Sequence, residues 1–147
     1  MVDTIARRRR GVVTTFGVLA VLYAITFFLG AWLHLGARIP LGFAVLEEPR
    51  ILPAGIVETL CGLALAVSGY AVLTGKTWAW RAAVGAHGFA LAGVLLGMAA
   101  LAAGRGPSTE LNNAYHLTML AFLGAGLVVL LTRPARAVLD RIGVTQG

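Results

Sequence analysis

Residues 51–73 read ILPAGIVETLCGLALAVSGYAVL, an apolar run in which Glu58 is the single charged side chain. A helix rises about 1.5 Å per residue, so a run of this length crosses the roughly 30 Å hydrocarbon core of a bilayer. Helical spacing places Gly62, Leu65 and Gly69 on the same face as Glu58, and small residues on one face are typical of contacts between membrane helices. This stretch predicts a transmembrane helix with Glu58 turned toward neighbouring helices.

The whole chain shares this apolar character. Its 147 residues are 59% hydrophobic and 12% charged, with a mean hydropathy of +0.85, whereas soluble domains contain about 25% charged residues. Four stretches are long enough to span a bilayer, at residues 12–33, 51–73, 82–103 and 114–132. We therefore predict an all-α polytopic membrane protein, a four-transmembrane-helix bundle that forms a single domain over residues 1–147.

The basic residues predict the orientation of the bundle. Nine of the 12 Lys and Arg residues lie on the side of both termini, at Arg7, Arg8, Arg9, Arg10, Lys76, Arg81, Arg133, Arg136 and Arg141. This bias places both termini in the cytoplasm, and the first apolar run is longer than the h-region of a signal peptide. The basic residues adjoin apolar runs, so we expect a lipid bilayer as the partner and no nucleic acid. The abundance of alanine, glycine, arginine and leucine is associated with high-GC bacterial sources, and we predict a multi-pass protein of the bacterial inner membrane.

The third span carries a small-residue motif for helix packing. Gly93 and Gly97 form a GxxxG, in which glycine lets two helix backbones approach closely. The motif favours packing within the chain over a dimer interface, although a homodimer stays open. Cys61 is the single cysteine, so no disulfide framework is expected.

Glu58 is the first candidate for function because an ionisable group inside a membrane costs several kcal/mol unless it is paired or hydrated. It serves either as a proton carrier or anchor for a polar head group, or as a structural group that ties helices together by hydrogen bonds. Four other residues near the same side complete a candidate ligand-binding set: His34 and Tyr23 on the first span, and Asn112 and His116 at the start of the fourth.

Imidazole and carboxylate groups together suit a metal site, a proton relay or a quinone head group. His87 approaches from the opposite side of the membrane, so one metal ion is not expected to bind all three histidines. Haem is also disfavoured, because only His34 and His116 share a depth and both lie near the surface. Quinone is the cofactor left open. Glu47 and Glu48 lie in the same outer loop and are placed to fold over this group.

The segment Gly55-x-x-Glu58-x-x-Cys61-Gly62, followed by a short basic turn and a glycine-rich third span, resembles the DoxX-like family of small bacterial four-helix membrane proteins. That family often carries Gly-x-x-Glu-x-x-Gly-Gly in its second helix, and Cys61 here replaces the first glycine of the doublet. The resemblance covers the middle third of the chain. It implies a membrane component associated with thiol or quinone redox partners.

Two functions from different classes follow. The first is an accessory or scaffold component that docks a larger membrane complex. This complex can be one that carries out redox chemistry. The alternative is a protein that binds a quinone- or lipid-like ligand, or couples to protons, through the Glu58 group. Motifs of hydrolases and nucleotide-binding enzymes are absent from the sequence, so no catalytic residue is assigned and an enzyme is not expected. Convergence of Glu58, His34 and His116 within about 5 Å at a cavity favours the ligand-binding function.

Overall fold

The structure is a computed structural model and describes residues 2–140, which form mainly helices. Its helices are α1 (Val2–His34), α2 (Leu52–Leu73), α3 (Ala79–Ala102), α4 (Glu110–Leu130) and α5 (Arg133–Asp140), and its strands are β1 (Arg38–Pro40) and β2 (Val45–Glu47). The four helices α1 to α4 are long and apolar enough to cross a membrane. The predicted four-helix membrane fold is confirmed.

Successive helices run in opposite directions, which gives the bundle two different ends. The end that we call the hairpin end holds β1, β2 and the connection between α3 and α4. The other end, the α5 end, holds α5 and the connection between α2 and α3, and the first turns of α1 start from there. Since α5 contacts α1, α3 and α4, the chain after the fourth span folds back onto the bundle.

Helix boundaries differ from those expected from apolar runs alone. Helix α1 begins at Val2 and contains the arginine cluster. Only its segment from Arg10 to His34 is apolar enough to span a membrane. Arginine is a good helix former, so the helix continues where the apolar run has stopped. Helix α4 begins at Glu110, before residue 114, because the side chain of Thr109 accepts a hydrogen bond from the backbone N–H of Asn112.

The long connection between α1 and α2 forms a small hairpin that the sequence did not predict. Strands β1 and β2 pair antiparallel with Arg38 opposite Glu47, and Gly42 in the turn has φ of 84°. The hairpin returns to its starting point, where the N–H of Ile51 donates to the carbonyl of His34 at 2.9 Å. The last residue of α1 is therefore held against the first turn of α2.

Two groups of buried apolar side chains form the core. The central group consists of Ala24, Phe27, Cys61, Leu65, Ala86, Ala90, Val94, Met119 and Leu123. The group at the α5 end consists of Ala71, Val72, Ala79, Ala83, Leu130 and Leu139. Leu139 belongs to α5, so this short helix is packed into the bundle as well as lying at its end.

Glycines on α2 allow close contact with α1. An added Cβ at Gly62 would lie 2.8 Å from the ring of Phe28, and one at Gly69 would lie 2.8 Å from Val21. These distances leave no room for a side chain, so α1 presses its own side chains into the glycine positions of α2. Gly62 and Gly69, two of the four glycines that the sequence predicts as packing residues, lie at this seam.

His87 of α3 is a buried histidine outside the predicted ligand-binding set. It is 3% exposed. Its ring lies edge-on to Tyr23 at 5.9 Å, and an added Cβ at Gly126 of α4 would be 3.2 Å away. Helix α3 packs on two faces, and the absence of a side chain at Gly126 creates the space for the imidazole.

Candidate functional site

Glu58 lies on α2 near the hairpin end and is buried without a hydrogen-bond partner. Its residue is 5% exposed, and neither carboxylate oxygen makes a hydrogen bond to any residue that the structure describes. Gly30 of α1 makes room for the group, since an added Cβ there would lie 3.0 Å from both oxygens. Buried carboxylates are normally paired, so this one is a candidate for contact with something outside the chain.

His34 is the last residue of α1 and faces Glu58. Its Nδ1 donates to the carbonyl O of Pro49 at 3.3 Å, which fixes the ring through the segment that returns from the hairpin. Its Nε2 lies 3.9 Å from Oε1 of Glu58, and His34 is 2% exposed. This separation allows an electrostatic contact but is too long for a direct hydrogen bond.

His116 and Asn112 lie one turn apart on α4. Nδ1 of His116 donates to the backbone carbonyl of Asn112 at 2.8 Å, so the ring is held by its own helix. Its Nε2 is directed toward Gly97 of α3, where an added Cβ would lie 3.1 Å away. Gly97 was predicted as a packing residue, and its missing side chain leaves space for an imidazole.

One cavity of about 390 Å³ between α2, α3 and α4 is lined by these four polar side chains, His34, Glu58, Asn112 and His116, and also by Arg105 of the connection between α3 and α4. The rest of its wall is mainly apolar and includes Ala54 and Val57 of α2 and Leu96, Ala100 and Leu101 of α3. Leu96 is 63% exposed, so the cavity reaches the outer surface of the bundle at this point. The cavity therefore has a polar inner wall and an apolar opening.

A second, smaller cavity of about 200 Å³ lies between α1, α4 and the hairpin, and it shares His34 and Asn112 with the first. Glu48 lines it and accepts a hydrogen bond from the hydroxyl of Thr109 at 2.8 Å. Glu48 thus lies beside this group of polar residues, as the sequence indicated. Glu47 instead forms an exposed ion pair within the hairpin.

Tyr23 is the one member of the predicted ligand-binding set that the structure places elsewhere. It packs against His87 and lines neither of these cavities. Tyr23 and His34 share a face of α1, but they are three turns apart, which is about 16 Å along the helix axis. Helical spacing correctly predicted that Tyr23 and His34 share a face of α1. It did not account for their different depths in the membrane.

Sequence reasoning missed the residues that make space at the site. Gly30 is not among the residues predicted from the sequence, and the hydrogen bond between Glu48 and Thr109 has no sequence signal. Within residues 2–140, no three His, Cys, Asp or Glu side chains are arranged to hold a metal ion. The arrangement provides carboxylate and imidazole groups around an apolar-walled space, which suits a head group attached to an apolar body.

No family model matches the chain, and no curated protein or solved structure shows detectable similarity to it. The resemblance to DoxX-like proteins stays a prediction from the sequence.

Proposed function

We propose that this chain binds an amphiphilic small molecule, quinone-like or lipid-like, in the cavity between α2, α3 and α4. The polar head lies against Glu58, His34 and His116, and the apolar part extends along α2 and α3 toward the lipid. The observation that carries the proposal is the Glu58 carboxylate, which is buried at the cavity wall without a hydrogen-bond partner among the described residues.

Energetics support a ligand at this position. A buried polar group left without a partner costs about 1–3 kcal/mol, and more when it is charged. Glu58, at 5% exposure, bears this cost in the isolated chain. A bound head group that hydrogen-bonds to the carboxylate recovers part of the cost, so the protein is more stable with the ligand than without it.

The dimensions and lining of the cavity also fit such a ligand. Its volume of about 390 Å³ falls within the roughly 300–1,000 Å³ found for small-molecule sites. The apolar wall formed by Val57, Leu96 and Ala100 suits a hydrocarbon or isoprenoid chain. The opening beside Leu96 gives a ligand dissolved in the bilayer a route to Glu58 without passing through water.

A purely structural role for Glu58 is less consistent with this geometry. A carboxylate that ties helices together is expected to accept hydrogen bonds from a neighbouring helix, but both oxygens lack them within the described residues. The other predicted function, an accessory role in a larger membrane complex, concerns partners outside the chain. It is compatible with ligand binding, because a ligand-binding protein can also belong to such a complex.

For orientation we propose a bacterial inner membrane with both termini in the cytoplasm, as the basic residues indicate. The hairpin end then faces the opposite side, and the cavity lies in the outer leaflet. Ligand exchange takes place from that leaflet in this arrangement.

The test is identification of what the protein carries from its native membrane. Wild-type protein purified in mild detergent is analysed by native mass spectrometry, and the same sample is extracted with organic solvent. We expect one quinone- or lipid-like molecule per chain. We expect Ala100→Phe to fill the cavity, so that the purified variant no longer carries this molecule. The neighbouring Ala99→Phe lies on the exposed surface of α3 and should still carry it.

Wild-type protein that carries only loosely associated bulk phospholipid contradicts the proposal. Equal ligand content in the Ala100→Phe and Ala99→Phe proteins contradicts it as well, because the molecule would then lie outside this cavity. Circular dichroism of both variants establishes that the helices are intact.

A further inference from the structure

We infer that the cavity selects a head group that donates hydrogen bonds, as the hydroxyl groups of a quinol do, over a head group that only accepts them. The inference rests on the proposed function, because it specifies the chemical class of the ligand in that cavity. Its basis is the balance of donors and acceptors that Glu58, His34, His116 and Asn112 present to the bound molecule.

The two histidines present acceptors. Nδ1 of His116 lies 2.8 Å from the carbonyl of Asn112, and Nδ1 of His34 lies 3.3 Å from the carbonyl of Pro49. A carbonyl oxygen only accepts, so in both rings Nδ1 carries the hydrogen. In a neutral imidazole the other nitrogen, Nε2, then has a lone pair. Nε2 of His34 faces Glu58, and Nε2 of His116 faces the space at Gly97.

Glu58 adds two more acceptor atoms. Both of its oxygens lack a hydrogen bond within the described residues, and an ionised carboxylate has no donor. A single proton on the Glu58 and His34 pair supplies one donor. It still leaves the second carboxylate oxygen and Nε2 of His116 as acceptors. Acceptors therefore outnumber donors on this part of the wall whether or not the pair holds that proton.

Asn112 and Arg105 supply donors but do not reverse the balance at the buried end of the cavity. The carboxamide of Asn112 offers donors and an acceptor in one side chain, and it lies on the wall shared by both cavities. Arg105 carries only donors, but it is exposed in the connection between α3 and α4, whereas Glu58, His34 and His116 are buried. A ligand with carbonyl oxygens alone places acceptors against acceptors at Glu58 and His116. A ligand with hydroxyl groups satisfies them, and each such hydrogen bond increases affinity.

The same donor chemistry is available from a second source, the ammonium group of an ethanolamine phospholipid. A quinol and this lipid both present N–H or O–H groups on an apolar body. The shared requirement is a donor at Glu58, and the experiment separates the two sources by changing the composition of the bilayer.

The test compares two ligands that differ only in donors. The full chain is placed in phosphatidylcholine nanodiscs, because the choline head group has no hydrogen-bond donor. Decylubiquinol and decylubiquinone are titrated anaerobically and binding is measured by calorimetry. We expect the quinol to bind about tenfold more tightly, which corresponds to one additional hydrogen bond. Glu58→Gln is expected to reduce this ratio because its carboxamide can donate to a carbonyl, and Glu47→Gln, the same change at an exposed site, is expected to preserve it.

Equal affinities, or tighter binding of the quinone, overturn the inference. If the Ala100→Phe variant then binds neither the quinol nor the quinone, the proposed function stands although the preference for a donor fails. Absence of binding by both forms also overturns the inference. The proposed function then depends on whether another amphiphile copurifies with the wild type and is lost in Ala100→Phe.

Repeating the titration in nanodiscs that contain phosphatidylethanolamine distinguishes the donor sources. A quinol affinity lowered about tenfold identifies the ammonium lipid as a competing ligand for the same acceptors. An unchanged affinity identifies the quinol as the preferred donor. Both results agree with selection of a hydrogen-bond donor. If phosphatidylcholine lipids of a different chain length lower the quinol affinity as much as phosphatidylethanolamine does, donor selection is contradicted.

Discussion

The two ends of the bundle are built from different kinds of residue. At the α5 end, Leu130 and Leu139 are completely buried in an apolar cluster, and Nε1 of Trp80 donates to the carbonyl of Leu130 at 2.9 Å. At the hairpin end, Glu58 and His34 are also buried, at 5% and 2% exposure, yet they face a cavity in place of a close-packed neighbour. Among the described residues, the hairpin end differs in holding a buried carboxylate that has no hydrogen-bond partner.

This difference indicates separate roles for the two ends. Close packing in lipid stabilises a helix bundle through contacts between side chains, and the buried apolar cluster at the α5 end supplies such contacts. The hairpin end gives up contacts to keep an unpaired carboxylate beside an open space, a local cost that proteins commonly accept at functional sites. Substitutions at the α5 end should therefore alter stability alone, and substitutions at the hairpin end should mainly alter binding.

The largest effect on stability is expected from Leu130→Ala at the α5 end. Removing a completely buried leucine leaves a cavity and lowers the free energy of unfolding by about 2–5 kcal/mol. Denaturation in detergent, followed by tryptophan fluorescence, measures the loss. Leu131→Ala is the matched control, because Leu131 is 59% exposed and should change little. A loss below that of Leu131→Ala would show that the α5 end is not the packed region.

A smaller loss is expected from Gly93→Leu, where α3 meets α2. An added Cβ at Gly93 would lie 2.8 Å from Sγ of Cys61, so the helices must separate, at a cost of about 1–3 kcal/mol. Gly88→Leu is the control on the same helix, since an added Cβ there meets nothing within 4 Å. Equal melting temperatures for both variants would mean that Gly93 is not a packing contact.

The smallest effect on stability is expected from Glu58→Leu, in spite of the burial of this residue. Replacing an unpaired buried carboxylate by an apolar group of similar size is neutral or stabilising, and we expect a change within about 1 kcal/mol of wild type or a gain. Ligand content measured on the same protein should fall to background. A loss of stability as large as that of Leu130→Ala would instead make Glu58 a structural link between helices.

The sequence predicted the features that depend on one helix at a time. Length and apolarity identified the four spans, and helical spacing placed Glu58 on an inward face, because both are properties of a single segment. Boundaries such as the start of α4 were less accurate, since they depend on a cap at Thr109 and not on apolarity.

Features that depend on two helices were not predictable from one sequence. His87 is buried because Gly126, far along the chain, leaves a space opposite it. The room for Glu58 comes from Gly30, and the room for His116 from Gly97. Tyr23 lies on the expected face at a different depth. Each of these outcomes depends on the register between neighbouring helices, which composition and periodicity do not contain.

The most direct test of the account is chemical labelling of Glu58 from the lipid phase. Dicyclohexylcarbodiimide, an apolar reagent that adds to carboxyl groups, is applied to the protein in nanodiscs, and peptide mass spectrometry locates the adduct. We predict one adduct at Glu58, formed at least about tenfold more slowly in Ala100→Phe than in Ala99→Phe, because only the first substitution blocks the cavity. No adduct at Glu58 in the wild type, or equal rates in the two variants, would contradict the claim that this carboxylate faces an accessible site.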